Sequence, residues 1–137
     1  MKATSIKNLF LDDFRHPYDC MSYMPYRIGT NAAMYTQQEW SVVKSYDEFT
    51  KWITLNGLPK MVSFDHDLAE IDYNPLTGTQ KFEYYEKTGL DAAKWLGQYC
   101  LEKNTPFPKW NVHSANPIGK ANIEAYINNV IKHQNKL

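Results

Sequence analysis

Arginine is nearly absent from this 137-residue chain: Arg15 and Arg27 stand against thirteen lysines. Cysteine is as scarce, and the wide separation of Cys20 and Cys100 excludes a metal-ligand or dithiol redox motif. Free thiols in a reducing compartment are the expectation, with a single disulfide as the alternative. Net charge is zero, so no long-range field draws in duplex nucleic acid, and any anion site must be local. No apolar run is long enough to span a membrane. The opening stretch MKATSIKNLFLDDF is too short, and too soon broken by acids, for a signal peptide. These absences point to the cytoplasm. Internal repeats and low-complexity tracts are also lacking.

What is present fits one folded domain spanning 1–137. The 43% hydrophobic and 22% charged fractions are those of an ordinary globular protein. Short apolar runs at IKNLFL (6–11), WSVVK (40–44), MVSF (61–64) and KWNVH (109–113) read as strands. Helices are expected over YDEFTKWITLN, opened by Ser45 with Glu48 at capping-box spacing, and over LDAAKWLGQYCLEK, opened at Thr88 or Gly89. A third begins at Pro117 and runs to about Lys136. Residues 14–39 and 68–88 read as long loops. Strands alternating with amphipathic helices imply an α/β fold with a mainly parallel sheet of about four strands and helices on both faces.

In such sheets ligands gather at the carboxyl ends of the strands, where strand order reverses. Three strand ends here carry unusual polar residues. The first ends in Asp12 and Asp13, the third in Asp65, His66 and Asp67, and the last in His113, Ser114 and Asn116. Asp13 alone reads as a cap or solvated loop residue. Facing Asp65 across neighbouring strands, however, Asp12 and Asp13 would suit Mg²⁺ or Mn²⁺, and without a cation one carboxyl pKa would rise. Nothing suggests an organic cofactor. Asp67 beside His66 can orient an imidazole, although a loop histidine is the bland alternative. Arg15 has the planar fork for a phosphate, and Ser114, Asn116 and Lys120 offer donors near a helix N-terminus. Tyrosines 18, 23, 26 and 35 read mainly as packing for the first long loop.

Four ordered blocks, LFLDDFRHP, SFDHDL, TGLDAAKWL and WNVHSANPIGKANI, resemble the signature blocks of the cyclic-phosphate processing receiver-like domain family. The resemblance runs from the first strand to the last helix. It implies a three-layer receiver-like (flavodoxin-like) fold derived from response-regulator receivers. It also puts Asp12 and Asp13 at the receiver's acidic pair, Asp65 at its phospho-acceptor position and Ser114 at its strand-four hydroxyl. His66, Asp67, His113 and Asn116 match what distinguishes the derived family. Two departures stand out: the loops 16–39 and 68–88 are long, and no fifth strand with the receiver's lysine is evident.

The resulting expectation is a phosphoesterase acting on a cyclic nucleotide or a 2′,3′-cyclic RNA end. His66 and His113 would be base and acid, supported by Asp65 and Asp67. Arg15, Ser114, Asn116 and Lys120 would hold the phosphate, and Asp12, Asp13 and Asp65 would hold a metal. A non-catalytic nucleotide-binding module is the alternative, followed by a phospho-accepting receiver. Expected partners are a small nucleotide or RNA terminus, with no membrane and no extended duplex.

Overall fold

The four apolar runs form strands for the reason their composition gives: short segments with no internal glycine or proline, those at 8–11 and 61–64 buried throughout. The computed structural model describes residues 7–13, 16–17, 35, 38–74, 79–84 and 87–136, the hairpin residues 69–74 and 79–84 by their backbone. Within these, strands β1 (Asn8–Leu11), β2 (Ser41–Val43), β3 (Met61–Phe64) and β6 (Lys109–Val112) form one parallel sheet in the order β2-β1-β3-β6. The chain leaves β1 for one edge and returns past it to β3. Strand order therefore reverses between β1 and β3, the place where ligands bind in open α/β sheets.

Segment 68–88, expected as a loop, instead carries an antiparallel hairpin of β4 (Ala69–Asn74) and β5 (Thr79–Tyr84), paired from Ala69↔Tyr84 to Asn74↔Thr79. The sequence does contain the signal. Ile71 and Tyr73 alternate with polar residues, as do Phe82 and Tyr84, and the turn sequence NPLTG separates the two runs. The first long segment, 14–39, lies mostly outside the described residues.

Each helix starts with a side chain that satisfies its orphan N–H groups. Helix α1 (Tyr46–Asn56) is capped by Ser45 Oγ, which accepts from the Glu48 N–H at 3.1 Å. The Glu48 carboxylate reaches back to the Lys44 N–H, one residue before the cap. Helix α2 (Gly89–Lys103) has a complete capping box: Thr88 N–H donates to Asp91 at 2.8 Å, and Asp91 N–H donates to Thr88 Oγ1. Thr88 is thus the cap and Gly89 the first helical residue. Helix α3 (Pro117–Asn135) is capped by Asn116, with Pro117 at its first position.

Period-2 alternation divides the sheet into two faces. Leu9, Leu11, Val43, Val62, Phe64 and Val112 lie on one, joined in a single buried cluster by Phe49 and Ile53 of α1, Leu96 of α2 and Ile123 and Ile127 of α3. Across the other face runs the row Val42, Phe10, Ser63 and Asn111. Phe10 there packs with Tyr35, itself helical in backbone, and with Trp40. Among the described residues Cys100 is a free, buried thiol, and no helix is long and apolar enough to cross a membrane.

Two helical glycines sit against close neighbours of different kinds. A Cβ on Gly89 would lie 1.6 Å from the Asp65 carbonyl oxygen, whereas one on Gly97 would meet the Tyr126 hydroxyl at 2.5 Å. The first obstacle is backbone held in the sheet; the second is the tip of a side chain. Gly89→Ala should therefore destabilise the protein by about 3 kcal/mol or more, and Gly97→Ala by about 1 kcal/mol. Urea denaturation of the two variants checks this ordering.

Candidate functional site

Backbone pairing continues one residue past each strand. Asp12 N–H donates to Val43 O, Asp65 N–H to Leu11 O and His113 N–H to Phe64 O, each at 3.0 Å. The alternation of the strands thus places Asp12, Asp65 and His113 two residues beyond Phe10, Ser63 and Asn111, on the same face. All three are buried, at 1%, 7% and 0% exposure. One oxygen or nitrogen from each lies within 4.8 Å of the others. The sequence-predicted residues of three separate strand ends are brought together here.

Such a cluster is electrostatically costly. Desolvation, then the like charge of Asp12, pushes the Asp65 carboxyl up from 3.8 to about 7. Asp13 and Asp67 push the same way, opposed by the His66 N–H, which donates to Asp65 Oδ1 at 2.9 Å. Asp13 is half-buried and acts on Asp65 through its charge.

His113 lies beneath this pair. Its ring stacks on Phe10 at 4.1 Å between centroids and 9° between planes. Nε2 is 3.1 Å from Asp12 Oδ2, and Nδ1 is 2.7 Å from Ser63 Oγ. The imidazole thereby bridges from β6 over β3 to β1, and the small Ser63 side chain leaves room for it to pass. Ser63 Oγ is also 2.7 Å from the Tyr35 hydroxyl, which accepts from Asn111 Nδ2 at 2.8 Å. Ser63 and Asn111 went unnoticed in the sequence, and Tyr35 was read only as packing for the first long loop. A serine inside an apolar strand and an asparagine in register with it were the available signal.

A second group lies on the solvent side. His66 Nδ1 is 2.9 Å from Asp67 Oδ1, with the imidazole 17% and the carboxylate 54% exposed. Asn116 Nδ2 donates to Asp67 at 3.3 and 3.4 Å, while its Oδ1 accepts from the Gly119 N–H at 3.0 Å. Both ends of that amide are engaged, so Asn116 holds Asp67 and caps α3. The His66 ring packs so tightly on α3 that a Cβ at Gly119 would come within 2.3 Å of it. Ser114 is buried, its Oγ accepting from the Asn116 N–H at 3.1 Å. Lys120 lies in the first turn of α3. Arg15 lies outside the described residues. The sequence neighbours Asp65 and His66 link the two groups.

The donor set fits a divalent cation: two buried carboxylates, one of them driven toward protonation by burial and by the charge of the other, with an imidazole nitrogen nearby. Asp12 and Asp65 are the natural ligands. His113 Nε2 already faces Asp12, so ligation through it would require that bond to be given up.

A parallel sheet in the order β2-β1-β3-β6, with an acidic cluster at its switch point, defines a receiver-type α/β domain. Residues 7–129 match the family model of the cyclic-phosphate processing receiver domain, and the chain belongs to that family. Comparisons with curated proteins and with solved structures returned no match.

The raised Asp65 pKa has a defined consequence for stability. Between about pH 4 and pH 7 native Asp65 keeps a proton that the unfolded chain has released. Unfolding free energy from this group therefore falls as pH rises through that window. The loss is on the order of 4 kcal/mol, complete above the folded pKa. In chelator, Asp65→Asn should match the parent near pH 4 and exceed it in denaturant resistance at pH 8. Parallel stability curves for the two proteins would remove the electrostatic account of the cluster.

Proposed function

We propose that this domain opens a cyclic phosphate, on a small cyclic nucleotide or a 2′,3′-cyclic RNA end, by adding water across one phosphodiester bond. The observation that carries this is the junction at Asp65, where a buried acidic cluster meets the His66–Asp67 pair at the sheet's switch point. In the reaction a water oxygen bonds to phosphorus, its proton goes to a base, and the P–O bond to the departing ring oxygen breaks as that oxygen takes a proton. Groups that exchange protons near neutral pH suit both transfers.

His66 takes the proton from water, with Asp67 fixing the imidazole and stabilising the charge it gains. Asp65, holding a proton up to about pH 7, is placed to serve as acid without a cation. With Mg²⁺ or Mn²⁺ on Asp12 and Asp65, and Asp13 adding charge nearby, the ion would supply a Lewis acid and a more acidic water. His113 was expected to be the acid. Its complete burial and its bonds to Asp12 and Ser63 favour a part played through Asp12 instead. Arg15, Ser114 and Lys120 are the phosphate-holding candidates, and Asn116 acts by keeping Asp67 in place. A cation-free carboxyl that holds its proton near neutrality is a poor phosphoryl acceptor, which disfavours the signalling-receiver reading.

Incubation with 2′,3′-cyclic nucleotides and with cyclic mono- and dinucleotides, with and without Mn²⁺, should yield a phosphomonoester or a linear product by ³¹P NMR. His66→Ala should lower turnover by roughly 10²–10⁴ while ligand binding survives. Tight binding with no product would establish the binding-module alternative. By calorimetry, Asp12→Asn and Asp65→Asn should each weaken Mn²⁺ binding by more than about tenfold, and Asp67→Asn by less. Equal affinities across the three variants would argue for a metal-free reaction.

A further inference from the structure

His113 has a hydrogen-bond partner at each ring nitrogen, and the partners beyond Nδ1 form a continuous buried line. Asn111 Nδ2, the Tyr35 hydroxyl, Ser63 Oγ and His113 Nδ1 are separated by 2.8, 2.7 and 2.7 Å, and His113 Nε2 then meets Asp12 Oδ2 at 3.1 Å. Tyr35 and Ser63 are 2% and 0% exposed, so water does not compete for their hydroxyls. The stack of His113 on Phe10 fixes the ring plane, and in this rotamer neither nitrogen faces carbon.

With Asp12 ionised, the ends of the line determine its direction. An amide Nδ2 donates and cannot accept, and an ionised carboxylate accepts and cannot donate. Each hydroxyl between them has one proton. If Tyr35, having accepted from Asn111, donates to Ser63, then Ser63 donates to Nδ1. The imidazole must then carry its proton on Nε2 and pass it toward Asp12. Every donor is matched to an acceptor in that arrangement, and each bond polarises the next.

We propose that Asn111, Tyr35 and Ser63 are positioning residues, a one-way relay that fixes His113 as the neutral Nε2–H tautomer and makes it a permanent hydrogen-bond donor to Asp12. Asp12 is then the carboxylate backed by the imidazole, while Asp65 takes its hydrogen bond from the His66 N–H. The relay also ties Tyr35, contributed by the chain between β1 and β2, to the strand-end cluster. A carboxylate steadied from behind by a hydrogen-bonded imidazole follows the logic of outer partners in metal sites, where such support fixes ring tautomer and orientation. This inference rests on reading Asp12 and Asp65 as the working site. The relay itself is a physical property of the protein whether or not that site turns over a substrate.

The test is a long-range ¹H–¹⁵N correlation spectrum of the whole protein, with His113 distinguished from the other three histidines. The expected pattern is a protonated Nε2 and a bare Nδ1 shifted by an incoming hydrogen bond. In Ser63→Ala the Nδ1 resonance should move downfield, toward that of an unbonded nitrogen. Tyr35→Phe should move it the same way by less. A protonated Nδ1 in the parent, alone or together with Nε2, overturns the relay, and the parent spectrum decides this even if a variant fails to fold. An Nδ1 resonance indifferent to Ser63→Ala also overturns it. Cyclic-phosphate opening is read separately: its absence alongside the predicted spectrum removes the proposed activity and leaves the relay standing.

Discussion

Two carboxylates buried side by side repel each other, and the rest of this structure answers that constraint. Asp12 and Asp65 occupy adjacent strand ends with almost no contact with solvent, and burial together with mutual repulsion drives Asp65 toward neutrality near pH 7. A buried like-charge pair is unfavourable unless hydrogen bonds, protonation or a cation compensates it. The domain offers all three. His113 lies against Asp12, the His66 N–H donates to Asp65, and the donor geometry suits a divalent ion.

The sheet makes this juxtaposition unavoidable. Parallel pairing of β1, β3 and β6 in register, continued by one hydrogen bond beyond each strand, sets the three residues in a row on one face. Gly89 lets α2 begin directly against the Asp65 carbonyl, and its N–H donates to His66 O at 2.8 Å. Gly119 does the corresponding job for the His66 ring at the start of α3. The loop that carries Asp65, His66 and Asp67 is thus clamped between two helix N-termini. That rigidity is what positions an imidazole–carboxylate pair for proton transfer.

Much of this was legible in the chain. MVSF and YDEFTKWITLN appear as read, Ser45 caps its helix, the last helix begins at Pro117, and three strand ends meet where polar residues interrupt apolar runs. Strands and caps are local, and local patterns survive folding. The failures were tertiary or patterned at low contrast. The hairpin at 69–84 was taken for a loop because its alternation is weak and its residues strongly polar. Burial of His113 could not be read from WNVH, because it depends on Ser63 being small and Phe10 flat on neighbouring strands. Asn116 looked like a phosphate donor, yet its amide already serves Asp67 and the Gly119 N–H. A side chain's hydrogen-bonding capacity is visible in sequence; whether another residue has already taken it is not.

The family assignment explains why a receiver-like sheet carries these residues, while the acidic pair identifies what the site must manage chemically. The measurement that tests the account most directly is a ¹³C NMR titration of the Asp65 side-chain carboxyl in the intact protein, first in chelator and then with Mg²⁺. The account predicts a midpoint near pH 7 in chelator and a marked fall once the ion is present. A midpoint near the ordinary aspartate value in chelator would mean that the carboxylates are neither desolvated nor coupled, contradicting the claim on which the site rests.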